Sequence, residues 1–484
     1  MIPLKFRQSA EHYSQKLIQM PSSVRLIALI ASVGLSNSCI LGPDPGTPDL
    51  ALPASVRGDM VPHGASFGDK SWRKVFSDPT LYALITRSLQ NNPDLVAATY
   101  RIEDARARAQ VARSAWFPTL DGNDGASTSS SSRNTGQSTS SGSRTSESYN
   151  LTGLLSWELD LWGGIARDNQ AARARLLESE FQRDAVQTSL IAAVAISYID
   201  LQNLDERLLI ALRTIESRKG SLELVTARRD GGVSSDLEVG QAEALLSQAQ
   251  VLVPTTERAI VEKENEIRAL LGEYPGGITR GGTLDKLDAS LRIAAGLPSA
   301  LMTRRPDISA ADQSFQAATA EIGVAEALRL PALSLTGQGG MISSDFSKLL
   351  QGSSAAYSIG PQLAGPIFDA GRGKARVEGA KARAKIALAA YQKSAQQAFQ
   401  EAANALNAYQ KTGEIIAENT KLVTSQKSVS SIALDRFQGG ASSYLEVLDA
   451  ERELFASELD LADSRSNRLR SVVQAYRALG GGWK

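Results

Sequence analysis

RRDGGVSSDLEVGQAEALL, Arg228 to Leu246, and RFQGGASSYLEVLDAEREL, Arg436 to Leu454, lie 208 residues apart in one chain and are identical at 11 of 19 positions. Chance does not give that agreement, so the chain contains an internal repeat, a feature to establish before any fold is assigned. Each copy reads as the tip of an αα-hairpin. Gly231-Gly232 and Gly439-Gly440 suit the left-handed C-cap of an arriving helix, and Ser234-Ser235 and Ser442-Ser443 suit the N-cap of a returning one. Before each tip runs a stretch of 67 residues without proline, Gly163 to Arg229 and Gly371 to Phe437. At 1.5 Å per residue each makes a helix of about 100 Å, more than one domain needs. In the first, Val194, Leu201, Leu208, Ile215 and Leu222 recur every seven residues, with Leu204, Ala211 and Val225 on the second seam, which is coiled-coil spacing. The second is alanine-rich (Ala380, Ala382, Ala384, Ala387, Ala389, Ala390), which permits close helix approach. The first returning helix passes Pro254, where a kink is expected, and ends near Leu270 to Gly277; the second runs to Ala478–Trp483.

The repeat extends toward the N-terminus. NNPDL (Asn91 to Leu95) matches RRPDI (Arg304 to Ile308), and WFPTL (Trp116 to Leu120) matches RLPAL (Arg329 to Leu333), both 213 residues apart. Between each pair a helix starts at a proline and stops before the next one. Because the separation falls by five, a loop between Leu120 and Asp160 is five residues longer in the first copy. Two strands follow in each copy. Tyr149, Leu151, Gly153, Leu155, Trp157 and Leu159 share one face against Asn150, Thr152, Leu154, Ser156, Glu158 and Asp160 on the other. Leu333, Leu335 and Gly337, then Tyr357, Ile359, Pro361, Leu363 and Ile367, alternate in the same way. Segments of about ten residues with period two are the signature of an outer-membrane β-barrel, with Trp and Tyr for its girdle, although an edge of a soluble sandwich reads alike. Asn123 to Ser148, dominated by Ser, Thr and Gly, reads as a solvated loop. The boundaries are a signal peptide at 1–38 and a tether at 39–70. The first repeat spans 71–300, with its strand pair at about 118–160, long hairpin at 163–271 and an equatorial segment. The second spans 301–484, with a helix at 306–329, strand pair at about 331–369 and hairpin at 371–480.

Composition narrows the function. Lys plus Arg and Asp plus Glu are 52 each, and a chain without basic surplus has no electrostatic case for nucleic-acid binding. With His12, His63 and Cys39 as the whole histidine and cysteine set, no zinc site assembles and a Ser-His-Asp triad lacks material, so no enzyme, cofactor or metal is expected. Nothing resembles a phosphate-binding loop with Lys and Ser/Thr, so energy for any transport comes from elsewhere. Leu26 to Leu35 is an apolar run of ten, too short to span about 30 Å of hydrocarbon as a helix but suited to a secretory signal, with Met20 the better start. Cys39 stands where a bacterial lipoprotein signal is cut, which makes it the acylation (palmitate) residue and the following Pro-rich segment a tether. Ser36 occupies the place where such signals usually carry an aliphatic residue, and an ordinary signal peptide is the alternative.

With repeat, strand pairs and tips in place, the chain resembles the bacterial outer-membrane efflux proteins, the TolC-like and NodT-like outer-membrane factors, over nearly everything after Cys39. The carriers are RRPDI at Arg304 to Ile308, the Gly-x-x-Ser-x-Leu-x-Val-Leu-Asp-Ala-Glu-Arg run from Gly440 to Arg452, and ALGGGW at Ala478 to Trp483. The resemblance implies an α+β membrane protein: a homotrimer, four strands per chain forming one 12-stranded barrel continuous with a coiled-coil α-barrel. It implies outer-membrane lipid around the barrel, a periplasmic adaptor at the tips, and an inner-membrane pump of the resistance-nodulation-division type. Carried over by residue, Leu445, Asp449 and Arg452 match the constriction of the lipoprotein branch. Glu446 and Asp449 match two acidic positions of the non-lipidated branch, and Glu238 an acidic partner on the first hairpin. Ser442 departs from that branch, which has a basic residue there. A type I protein-secretion duct and a poreless periplasmic scaffold remain as alternatives.

Overall fold

The computed structural model describes residues 40–53, 55–57, 66–75, 78–132, 145–282, 293 and 298–483. The expected signal peptide, Cys39, His12, His63, much of the tether and most of the equatorial segment lie outside the described residues. The described elements are α1 (Trp72–Val75), α2 (Pro79–Asn91), α3 (Pro93–Ser114), β1 (Thr119–Ser130), β2 (Thr145–Leu159), α4 (Gly164–Asp230), α5 (Asp236–Leu270), α6 (Pro298–Arg304), α7 (Pro306–Ala327), β3 (Ala332–Ser343), β4 (Ala355–Ala364), α8 (Arg372–Gln438) and α9 (Tyr444–Ala478). Equal lengths recur: α3 and α7 have 22 residues, β1 and β3 12, α4 and α8 67, α5 and α9 35. The chain divides into two compact units. One holds the described parts of Met1–Pro48, Asp104–Leu176 and Gln313–Leu388; the other holds those of Asp49–Glu103, Leu177–Asp312 and Ala389–Lys484.

The first unit is organised by an antiparallel sheet in the order β1-β2-β3-β4. Its register lines up Leu120, Leu155, Gly337 and Ile359 across all four strands, and Trp157, Leu335 and Pro361 across three. Because side chains alternate along a strand, that register gathers Leu120, Leu151, Leu155, Trp157, Leu333, Leu335, Ile359 and Leu363 on one face. The opposite face carries Asn150, Thr152, Ser156, Thr336, Gln338 and Gln362, and is laced by hydrogen bonds. Asn150 Nδ2 and Thr152 Oγ1 donate to the Asn123 carbonyl at 2.9 and 3.1 Å, and Gln338 Nε2 donates to Thr152 Oγ1 at 3.3 Å. Leu154 and Ile342 interrupt this polar face, 41% and 44% exposed, and Asp124 beside Leu151 interrupts the apolar one. Pro361, lacking an N–H, sits on an edge strand, where a missing donor is tolerated. Gly340 is required by close approach, since a Cβ there would stand 2.2 Å from the Leu151 carbonyl oxygen.

Two sequence expectations need correction. Asn123–Ser130 and Thr145–Ser148 are paired strand and not loop, with Ala126 beside Tyr149 and Ser127 beside Ser148. A ladder uses backbone groups only, so exposed Ser and Thr extend it without contributing to a core. Conversely, Ile367 lies beyond the end of β4 at Ala364, where Pro366 lacks the N–H that would continue the ladder.

At the strand ends, carboxylates start the long helices. Asp160 accepts from Ile165 N and Ala166 N at 3.1 and 2.8 Å; Asp369 accepts from Gly371 N and Gly373 N at 3.0 and 2.6 Å. The Gly373 N–H, foremost, holds the Asp369 carboxyl below its ordinary range. Buried Arg167 donates to the Leu41 and Gly42 carbonyls at 2.9 and 3.0 Å and to Asp44 at 2.9 Å, pinning the segment after residue 39 to the start of α4.

The second unit is helical. The apolar stretch of α4 has the length and composition of a membrane span, but Leu190, Ile191, Val194, Tyr198 and Leu201 are buried in this unit. Helix α5 runs uninterrupted through Pro254. The ring removes one N–H, and beside it Thr255 Oγ1 donates to the Val251 carbonyl at 2.9 Å. The pieces RRPDI and ALGGGW meet here as one staple. Arg305 forms a two-pronged bond with Asp307 at 3.0 and 2.6 Å, reaches Glu401 at 2.8 Å and donates to the Ala478 carbonyl at 3.2 Å. Trp483 Nε1 donates to the Arg304 carbonyl at 2.8 Å. Charge-assisted bonds of this kind are worth about 1.5–3 kcal/mol, and both carboxylates are partly solvated. Arg305→Met is therefore expected to destabilise the helical unit by roughly 2–3 kcal/mol, read as an earlier thermal unfolding transition of the detergent-solubilised protein; an unchanged transition would remove the staple from the stability account.

Candidate functional site

Each tip is built from backbone geometry. Gly232 and Gly440 have φ of 79° and 72°, the left-handed region that glycine enters without strain. Gly232 N donates to the Arg229 carbonyl at 2.8 Å and Val233 N to Arg228 at 2.9 Å; Gly440 N donates to Phe437 at 3.0 Å and Ala441 N to Arg436 at 2.8 Å. Both are Schellman closures, with Gly231 and Gly439 at the C-cap. The N-caps then differ. Ser235 and Glu238 form a reciprocal capping box: Glu238 N donates to Ser235 Oγ at 3.4 Å and Ser235 N to Glu238 Oε2 at 2.8 Å. Ser443 holds the same position without a side-chain cap bond. Glu238, expected as an acidic partner on the first hairpin, thus has its carboxylate engaged by its own helix start. The Oγ atoms of Ser234 and Ser442, repeat-equivalent positions, are both buried without a hydrogen-bond partner.

Beneath the tips the four long helices share one core: Val225 from α4, Val239 and Ala242 from α5, Ala433 and Phe437 from α8, and Tyr444, Val447 and Ala450 from α9. Phe437 and Tyr444 pack with ring centroids 5.4 Å apart, and burial pushes the Tyr444 hydroxyl up to about 12. Arg228 crosses between hairpins. Its guanidinium lies 4.6 Å from the Phe437 ring centroid and donates to the Phe437 and Gln438 carbonyls at 3.2 and 3.3 Å.

The expected gate residues lie on the opposite side of α9 from that core. Leu445, Asp449 and Arg452, spaced four and three apart, form one exposed stripe; Asp449 and Arg452 pair at 3.2 Å. Glu446 is also exposed and pairs with Arg436 at 3.6 Å. Half-exposed pairs of this kind contribute little stability. Sequence reasoning missed Arg218, Ser221 and Glu451, which are buried just behind it. Their signal was available in part, since Glu451 follows Tyr444 by seven residues and shares its inward face. Among the described residues no cluster of His, Cys, Asp and Glu could hold a metal.

The profile of the family described as outer membrane efflux protein matches residues 84–273 and 297–481. The chain belongs to that family. It is 36% identical over 455 residues to the solvent efflux pump outer membrane protein SrpC of Pseudomonas putida, covering 90% of this chain and 95% of the relative. It is 32% identical over 469 residues to the cation efflux system protein CusC of Escherichia coli, covering 96% and 100%. The solved outer-membrane channel OprN superposes with a TM-score of 0.86 at 33% identity, covering 92% of this chain and all of that one. Family members are efflux channels, and an α-helical tunnel domain with a β domain is their common form.

Loss of the first tip's cap is measurable. Ser235→Ala is expected to cost about 1 kcal/mol locally and speed amide exchange over residues 236–239, with no change at the second tip, where Ser443 makes no such bond.

Proposed function

We propose that the chain is the passive outer-membrane exit duct of a tripartite efflux pump, lipid-anchored through Cys39 and working as a homotrimer whose strands close one 12-stranded barrel. The observation that carries this is the sheet: one face apolar, one polar, with β1 and β4 unpaired at its edges. Open edges are not tolerated in hydrocarbon, and four strands are too few to close on themselves, so copies must combine. The helices support the same reading. Ile415, Leu422 and Val429 on α8 recur every seven residues and are exposed, an unfilled coiled-coil seam. Helix α3 exposes Val96, Tyr100 and Val111, whereas its counterpart α7 buries Ile308, Ala317, Ala320 and Ile322. A second copy of the chain has the apolar surface to cover both.

In this duct the tips Gly231–Ser235 and Gly439–Ser443 meet the periplasmic adaptor, two similar hairpins per chain giving six positions per trimer. An inner-membrane pump of the resistance-nodulation-division type supplies the energy. The exposed stripe of Leu445, Asp449 and Arg452, with Glu446 beside it, faces the narrow end of the tunnel. Three symmetry-related Asp449 carboxylates there favour cations over anions. Cargo is set mainly by the pump, and the relatives' names range from solvents to cations.

Deleting the gene is expected to sensitise the host in a panel of solvents, antibiotics and metal salts, and unchanged susceptibility throughout would defeat the efflux reading. Asp449→Asn is expected to reduce cation selectivity in planar bilayers. Gly440→Val, placing a branched side chain at φ 72°, is expected to abolish efflux while trimers persist in the membrane. Cys39→Ala is expected to remove radiolabelled palmitate; label retained on the variant would place the anchor elsewhere.

A further inference from the structure

Behind the exposed stripe of α9 lies a cavity of about 190 Å³ lined by Arg213, Thr214, Ser217 and Arg218 of α4, Ser430 of α8 and Glu451, Leu454, Phe455 and Glu458 of α9. Two of its walls are buried opposite charges that do not bond to each other. Arg218 is 2% exposed. It donates from Nη1 to the Leu245 carbonyl of α5 at 2.5 Å and lies 4.9 Å from the Phe455 ring centroid, while its Nε and Nη2 are buried without a partner. Glu451 accepts from Ser221 Oγ at 2.6 Å through Oε1, and its Oε2 is buried without a partner. A buried charge without compensation is costly, yet two donors of Arg218 and one acceptor of Glu451, residues that line the same polar cavity, leave their bonding capacity unused.

We propose that Glu451, Arg218 and the cavity they line form a proton-binding site that holds the two hairpins in either of two arrangements. With the carboxyl protonated, Glu451 is neutral, keeps its bond to Ser221 and stays unpaired with Arg218, the arrangement described; the polar walls and volume of the cavity beside them suit ordered waters. With the carboxyl ionised, the unused Nε and Nη2 of Arg218 are available to pair with it, and pairing draws α9 toward α4. The step is a proton transfer only: Glu451 releases its proton to solvent through the cavity, and no covalent bond otherwise changes.

The surroundings set the direction. Burial, the largest influence, raises the Glu451 carboxyl above an ordinary glutamate, while the Ser221 hydroxyl and the Arg218 charge pull it down. The other charged or titratable groups at the site are Arg213 from α4, Tyr444 and Glu458 on α9, and Lys427 of α8, which pairs with Glu458 at 3.2 Å; α5 contributes the Leu245 carbonyl. Since the carboxyl is raised in this arrangement, the arrangement is favoured by acid and is lost as pH rises through that carboxyl's titration. External acid reaches the periplasm, so such a site would make the state of the hairpins respond to it.

The exit-duct reading enters only through the electrical readout, so two measurements separate the ideas. Spin labels at the exposed positions Lys219→Cys and Glu453→Cys, in a Cys39→Ala background with labelled chains diluted among unlabelled ones, report the α4–α9 distance between about pH 5 and pH 8. The distance is expected to shorten as pH rises. Glu451→Gln should abolish the shift, Arg218→Lys should retain it, and Ser221→Ala should move its midpoint to higher pH, because the hydroxyl that lowers the titration is gone. A wild-type distance independent of pH, a shift that survives in Glu451→Gln, or a midpoint unmoved in Ser221→Ala would overturn the proposal. Single-channel conductance over the same range should follow the distance. A pH-dependent distance in a protein that never conducts would overturn the duct reading and leave the proton site standing.

Discussion

An apolar sheet face bounded by two strands with unfulfilled backbone hydrogen bonds is the constraint around which the rest of this molecule is arranged. In the proposed barrel, β1 and β4 are completed by neighbouring chains, because each unpaired N–H or C=O in hydrocarbon costs several kcal/mol. The register that creates the apolar face has to be accurate to a single residue, because a slip of one would turn Leu155, Trp157 and Leu335 onto the polar side. Gly340 helps enforce it by allowing an approach to Leu151 that any side chain would block. Asp160 and Asp369 start the helices within a few residues of the strand ends, and Arg167 ties down the segment that precedes the first repeat.

The helical unit solves a different problem, holding two hairpins together at their far ends. Hydrophobic contact between helices is non-directional, so direction comes from a few polar ties. Arg228 joins the end of one hairpin to that of the other, and the Arg305 staple fixes the C-terminal turn against α6 and α7. Apolar packing and these ties leave the exposed stripe of α9 and the loop glycines free for partners.

Where a rule acts over a few residues, the sequence was readable. Glycine pairs followed by serine pairs marked both tips, and the Schellman closures follow from the left-handed preference of one residue at each. The heptad of α4 and the alanine-rich character of α8 likewise needed no tertiary information. Strand limits were harder, because β1 is exposed along its whole length and its Ser and Thr residues resemble a loop until a pairing partner is known. The inward side of Glu451 could be read from its spacing to Tyr444, but its meeting with Ser221 and Arg218 could not, since that depends on which four helices converge and at what rotation. RRPDI and ALGGGW stood out as markers, but only the fold shows that they touch.

The two hairpins share loop geometry but not the way their second helices begin: Ser235 and Glu238 brace one start, while Ser443 lends no such support to the other. The two similar tips therefore differ at this cap. A ring assembled from such chains would alternate stiff and compliant fingers, and rearrangement would begin at every second one, giving a pseudo-sixfold collar a true threefold pattern of movement.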